Sequence, residues 1–250
     1  MDLLSLILAF GASVFAGSFA TLVGGASMVT IPTLILLGLP PHTAIGTDRL
    51  GVSGISLIGW HQFHKKELIA YGIGFAVGIP ALLGSFLGAN LVLRIDVAIL
   101  RGVIVAINLL ILPIILLSPK RGVERIKREI KRHHYFIGGF MSFMVGIYSG
   151  FYGVLSATFM SYVLILWFGQ TFLESAATFK IGSFLTTVAA VSVFAFHGAV
   201  NYPIAFAVFG GCCIGSYIGV RYSEKLGNIK IKRLYVTLVL IMIIKLLVQP

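Results

Sequence analysis

Two stretches of this chain, one early and one late, set the same polar pattern into continuously apolar sequence. The first reads Ala44-Ile45-Gly46-Thr47-Asp48-Arg49-Leu50-Gly51, the second Ser175-Ala176-Ala177-Thr178-Phe179-Lys180-Ile181-Gly182. Each gives a threonine, then a cation two positions later, then a glycine. A cation inside hydrocarbon is costly, so one that recurs in the same setting suggests a binding site before it suggests architecture. The spacing from Arg49 to Lys180 also relates Gly84-Ser85-Phe86-Leu87-Gly88 to Gly215-Ser216-Tyr217-Ile218-Gly219, and Gly38 to Gly169. Phe63-His64 and Phe196-His197 correspond after a small slip. Several matches at one spacing are not chance, so the chain reads as two repeats.

Composition supplies the medium. With 58% hydrophobic residues, 11% charged residues and a mean hydropathy of +1.01, the chain cannot cover a soluble surface. Apolar segments fall near 3–22, 25–38, 43–60, 69–93, 98–117, 135–153, 156–168, 174–196, 201–221 and 232–248. Several are long enough to cross about 30 Å of hydrocarbon, while the second and seventh are too short to do so as straight helices. Their continuous apolarity argues against a β-barrel, whose strands alternate. The opening run Leu3–Phe19 lacks a basic leader and is echoed later, so it is expected to be retained rather than cleaved as a signal. The expected fold is an all-α polytopic membrane protein of two repeats, 1–117 and 135–250, joined by a basic linker at 118–134. Five crossings per repeat put the halves in opposite orientations, with short or glycine-broken helices near the midplane.

The net charge of +11 sits mostly in two places. The stretch 118–135 carries a net +5, and Arg221, Lys225, Lys230, Lys232 and Arg233 against Glu224 give +4. Both clusters lie between apolar segments, so the positive-inside rule explains them without nucleic acid. That rule puts the linker, the His61–Leu68 loop and the 221–233 loop on the cytoplasmic side.

The glycines and cations carry the chemistry. Gly24-Gly25-Ala26-Ser27 followed by a short segment describes a discontinuous helix, whose unpaired N–H groups and positive end suit an anion. Gly153, Ser156 and Thr158 take that place in the second half. The spacing of Gly84/Gly88 and Gly215/Gly219 suits close helix packing instead. Arg49 lies roughly 9 Å along the third segment, and Lys180 holds the equivalent place. Snorkelling to the headgroups would explain one such cation but not the shared Thr-x-cation order. Antiparallel halves bring Thr47, Arg49, Thr178 and Lys180 together, where arginine grips an oxyanion in bidentate fashion and lysine adds a point charge. Asp48 is the candidate proton relay. The histidines show no metal spacing, Cys212-Cys213 read as small packing residues, and no catalytic motif is present, so no metal, cofactor or enzymatic role is expected.

These residues resemble a known family. Gly24-Gly25-Ala26-Ser27-Met28-Val29-Thr30-Ile31-Pro32, Leu36-Leu37-Gly38-Leu39-Pro40-Pro41 and Ala44-Ile45-Gly46-Thr47-Asp48-Arg49-Leu50 are similar to the first-half signature of the TauE/SafE sulfite exporter family. Gly150-Phe151-Tyr152-Gly153 with Ala176-Ala177-Thr178-Phe179-Lys180-Ile181 resembles its second half. The resemblance spans essentially the whole chain and implies an inverted-repeat transporter of small anions, usually sulfite or organosulfonates. The chain departs from the pattern at Ala26, where the family usually has glycine, and at Leu155 and Ala157, which interrupt a second-half Gly-x-Gly-x-Gly.

The chain is therefore expected to be a multi-pass secondary transporter of the inner or plasma membrane, exporting a small sulfur-containing oxyanion by alternating access. Its site is expected at Gly24, Gly25, Ser27, Thr47, Arg49, Gly153, Ser156, Thr158, Thr178 and Lys180. Its partners are that anion and the bilayer, with association between copies of the chain left open. A passive anion channel and, further down, a membrane-embedded enzyme are the alternatives.

Overall fold

Helices form where the sequence is continuously apolar and stop at glycine and proline. The computed structural model describes residues 3–94, 130–154 and 156–248; the fifth apolar segment and 118–129 of the basic linker lie outside the described residues. The helices are α1 (Leu3–Val23), α2 (Ser27–Leu36), α3 (Pro41–Lys65), α4 (Tyr71–Val92), α5 (Arg132–Phe151), α6 (Ser156–Phe168), α7 (Phe172–Phe196) and α8 (Tyr202–Val248). Helix α8 is interrupted at Gly227, whose φ of 67° and ψ of 163° are not helical. Helices α1, α4, α7 and the Tyr202–Ser223 part of α8 are long and apolar enough to cross a membrane, and α2 and α6 are shorter apolar helices. No strand occurs among the described residues.

The local reasons are legible. Helix α2 stops before Gly38 (φ 91°), and Pro41 then opens α3 at a position where its missing N–H has no cost. Helix α6 stops before Gly169 (φ 72°) in the same way. Thr171 caps α7, its hydroxyl accepting the Glu174 N–H at 3.2 Å while Glu174 accepts the Thr171 N–H at 3.0 Å. This capping box accounts for Glu174 without any part in a site.

Helices α3 and α7 are both 25 residues long. Their first residues, Pro41 and Phe172, keep the spacing of Arg49 and Lys180, as do Tyr71 and Tyr202 at the starts of α4 and α8. The packing crosses between the halves: α1 lies on α8, α5 on α4, α3 on α8 and α7 on α4. Hydrogen bonds repeat in the same register. The Asn201 N–H donates to Thr47 Oγ1 at 2.9 Å, and the Ala70 N–H donates to Thr178 Oγ1 at 3.2 Å. Ser85 donates to the Thr186 carbonyl at 2.8 Å and Ser216 to the Ile55 carbonyl at 3.1 Å. Thus the start of α3 meets the turn after α7, and the start of α7 meets the turn after α3. Lys66 also donates to the Val220 carbonyl at 3.2 Å, bringing the turn after α3 to the edge of the second basic cluster.

Close packing of the halves depends on small residues, as the spacing of Gly84/Gly88 and Gly215/Gly219 predicts. A methyl group at Gly84 or Gly88 would overlap the carbonyl of Phe143 or Ile147, and one at Gly215 or Gly219 that of Val14 or Ser18. Gly88→Ala should therefore force α4 from α5 and lower stability by about 1–3 kcal/mol, as overpacking does. Gly72→Ala, which meets nothing within 4 Å among the described residues, should stay within about 0.5 kcal/mol of wild type. Thermal melts of both variants in detergent check the contrast; equal melting points would contradict the packing argument.

Candidate functional site

Two breaks in the helices open the interior. Between α1 and α2 the chain turns through Gly24 (φ 80°) and Gly25 (φ 84°), and between α5 and α6 through Gly153 (φ 70°), conformations natural to glycine. A cavity of about 60 Å³ lies against both breaks, room for several waters or one compact ion. The first residues of α2 and α6, Ser27 and Ser156, stand in its wall, so both helix N-termini abut it.

The wall is drawn in matching pairs from the two halves. Arg49 and Lys180, Val52 and Ser183, Ile55 and Thr186, and Ser56 and Thr187 share one spacing along the chain. Ala20 and Ser149, Gly24 and Gly153, and Ser27 and Ser156 share another, slightly shorter one. Both cations are 4% exposed, so neither reaches the outer surface as snorkelling would require.

The two cations are held differently. The Arg49 guanidinium donates through Nη2 to the Tyr152 carbonyl and lies over Gly153, where any Cβ would overlap it. Its Nε is buried with no hydrogen-bond partner among the described residues. The Lys180 stem runs across Gly59; a methyl group there would come within 2.8 Å of its Cε. Its ammonium has no hydrogen-bond or ion-pair partner among the described residues. Neither cation has a carboxylate at ion-pair distance among those residues.

Asp48 is fully buried outside the cavity wall. Ser27 donates to its Oδ2 at 2.6 Å, and Thr30 donates to its Oδ1. Since Ser27 and Thr30 lie on α2, the carboxylate ties the first turn of that helix to α3. At the equivalent place in α7 stands Phe179.

Of the residues expected at a site, the structure gathers Gly24, Gly25, Ser27, Arg49, Gly153, Ser156 and Lys180 around one cavity. Thr47, Thr158 and Thr178 lie outside its wall. Thr47 and Thr178 accept the backbone N–H groups of Asn201 and Ala70, and Thr178 also accepts from Gln170 Nε2 at 3.2 Å. Thr158 donates to the Val23 carbonyl at 2.6 Å, closing the end of α1. In their stead the wall carries Ser56, Ser149, Ser183, Thr186 and Thr187, which the motifs do not reveal. For most of them helical spacing is the available signal: positions three and seven beyond each cation share its face.

Ser56 and Ser183 bond to one another at 2.7 Å, and Thr186 donates to the Ser183 carbonyl at 3.1 Å. The hydroxyls of Ser149, Ser156 and Thr187 have no partner among the described residues. The arrangement offers two cations, free hydroxyl donors and two helix N-termini, with no carboxylate in the wall. It suits a small anion rich in acceptor oxygens. No group of three His, Cys, Asp or Glu that could hold a metal ion occurs among the described residues.

A profile of the family described as sulfite exporter TauE/SafE matches residues 9–246 of this chain. A probable membrane transporter protein of Haemophilus influenzae is 28% identical over 98% of this chain and 94% of its own length. The probable membrane transporter protein YfcA of Escherichia coli K12 is 25% identical over 95% of this chain and 88% of its own. The probable membrane transporter protein YdhB of Bacillus subtilis is 26% identical over 84% of this chain and 86% of its own. No solved structure matches the chain.

Proposed function

The chain belongs to the TauE/SafE family of membrane transporters, and from that premise we propose that it exports a small sulfur-containing oxyanion, sulfite or an organosulfonate. One observation carries the reading: the buried Arg49 and Lys180, from equivalent places in the two halves, line one cavity with no carboxylate at ion-pair distance from either among the described residues. The nearby Asp48 offsets one of these two positive charges, and the charge left over is costly under hydrocarbon unless something negative joins it. The substrate supplies that negative charge.

In this reading Arg49 grips the oxyanion, Lys180 meets it from the facing helix, and Ser149, Ser156 and Thr187 donate to its remaining oxygens. Ser27, Gly24, Gly25 and Gly153 bring the helix ends close, since a side chain at either break would fill the space. Thr47, Thr158 and Thr178 act one step away, holding the helices that carry the wall. With both oxygens of Asp48 accepting hydroxyls, we assign it the fixed counter-charge beside Arg49 rather than a moving proton.

Alternating access is supported by the repeats. Equivalent helices meet start to end, as inverted halves would, and α1 and α3 pack on α8 while α5 and α7 pack on α4. Rocking of one half against the other would then expose the cavity to each side in turn. A compact cavity with paired charges fits a carrier better than a pore, which needs a continuous polar lining. The basic turns support a location in the inner or plasma membrane with the linker in the cytoplasm.

Binding tests the proposal without assuming a direction of transport. In a thermal-shift series on purified protein, sulfite or a sulfonate should raise the melting temperature, and choline and other cations should not. At about 100 times Kd the added stability is about 2.7 kcal/mol. A series in which no sulfur oxyanion shifts the transition would contradict the assignment.

A further inference from the structure

The two cations of the cavity are equivalent in position and unlike in surroundings. Arg49 has an acid as its chain neighbour, a backbone carbonyl on its guanidinium and a permanent charge. Lys180 has Phe179 where Arg49 has Asp48, no partner on its ammonium among the described residues, and a side chain that, unlike a guanidinium, can release its proton. Lys180 and Arg49 are the charged groups in the wall, and both face the cavity. Asp48 stands outside the wall and is engaged by Ser27 and Thr30. Among the described residues, α1, α4, α5, α6 and α8 bring no charged side chain to the wall, and Tyr148, Tyr162, Cys212 and Cys213 lie outside it.

The charges then close in two states only. With the cavity empty and Lys180 protonated, Arg49, Asp48 and Lys180 leave one uncompensated positive charge in the interior. A bound monoanion brings the sum to zero. Loss of the Lys180 proton from the empty cavity does the same. A carrier must pass through its occluded form both loaded and empty, and each passage is easiest when the buried charge is balanced.

We infer that Lys180 is the proton carrier of the transport cycle: it holds a proton while the anion occupies the cavity and releases it to water once the anion has left. Anion and proton therefore cross together, one proton for each anion, and transport of a monoanion moves no net charge. This rests on the anion-carrier reading above and adds the coupling ion and the group that bears it. Arg49 cannot exchange roles with Lys180, because a guanidinium does not deprotonate.

The test uses the whole protein in proteoliposomes, with 35S-sulfite and 35S-methanesulfonate as probes; the second keeps a single charge at every pH used. Two fluxes are read: exchange of the anion between both sides, and net efflux into anion-free buffer. In wild type, net efflux should follow an inside-acid pH gradient and ignore an imposed membrane potential. One pH unit should sustain about a tenfold anion gradient at equilibrium. Lys180→Arg keeps the charge and loses the switch. In that variant the ratio of net efflux to exchange should fall at least about tenfold below the wild-type ratio, since the empty cavity cannot become neutral. Wild-type efflux that follows potential and not pH would overturn the inference, whatever the variant does. So would Lys180→Arg with pH-driven net efflux in the wild-type ratio to exchange. If wild type exchanges neither probe, the anion-carrier reading falls first and the coupling with it.

Discussion

Arg49→Gln and Lys180→Gln should each bring sulfite or sulfonate flux in proteoliposomes down to that of protein-free vesicles, with the proteins still folded. Glutamine keeps much of the length and polarity of the side chain while removing the charge. A buried charge-assisted contact is worth about 2–5 kcal/mol when one partner is lost, roughly 30-fold to several thousand-fold in affinity. Neither variant leaves a carboxylate orphaned at ion-pair distance, because neither cation has one there among the described residues. Lys180→Gln should therefore change stability little or raise it, whereas Arg49→Gln also removes the counter-charge beside the buried Asp48 and should lower stability without unfolding the protein. The outcomes separate transport from architecture: a cation that only anchored helices would melt the protein when replaced, and one that only touched headgroups would leave flux intact. Wild-type flux in both variants would remove the site.

Gly153→Ala should be nearly as damaging, although it adds one methyl group and no charge. The residue sits at φ 70°, where an alanine is strained by about 1–2 kcal/mol. The greater effect is local, since the new Cβ would occupy the space of the Arg49 guanidinium. The side chain must leave the Tyr152 carbonyl and swing from its place beside the break. Anion affinity should fall at least about tenfold, a displacement of the kind that costs a buried charged contact. Gly198→Ala gives the control, with φ 66° and nothing among the described residues within 4 Å of an added methyl group. It shares the backbone strain without the collision, so its melting point should drop comparably while affinity is kept. Equal loss of affinity in both would show that strain, not contact with Arg49, sets the effect. Calorimetric titration with sulfite, beside thermal melts, reads both.

Much of this arrangement is legible in the residues. The apolar segments and glycine breaks place α1 through α7 and the start of α8 within a few positions of where they stand, since hydrocarbon leaves helices few alternatives; the loop expected at 221–233 is instead helical within α8, broken at Gly227. The repeated cation marks the two helices that share the cavity. The threonines of the same motif mislead, for a physical reason. A hydroxyl among apolar residues reads as a ligand for substrate, yet Ala70 and Asn201 sit at helix starts whose backbone N–H groups must find acceptors. Thr47 and Thr178 satisfy them, and nothing about Ala70 or Asn201 in sequence announces that need. The repeat itself hides part of the wall. Its spacing from Gly38 onward is slightly longer than its spacing across the breaks, so Ser149 and Ser156 do not align with Ala20 and Ser27 in the register the cations suggest. Thr187, Ser183 and Ser56 are within reach of helical spacing alone. Asp48 requires the structure, since its partners Ser27 and Thr30 belong to another helix.

The most direct test is to locate an anion. Diffraction data at the selenium edge from crystals grown with selenite, a heavier analogue of sulfite, would mark its position by anomalous scattering. One strong peak is expected inside the cavity, at hydrogen-bond distance from both the Arg49 guanidinium and the Lys180 Nζ, and it should vanish in Arg49→Gln. An ordered anion bound elsewhere in a transport-competent protein, with that cavity filled by water alone, would contradict the paired-cation site.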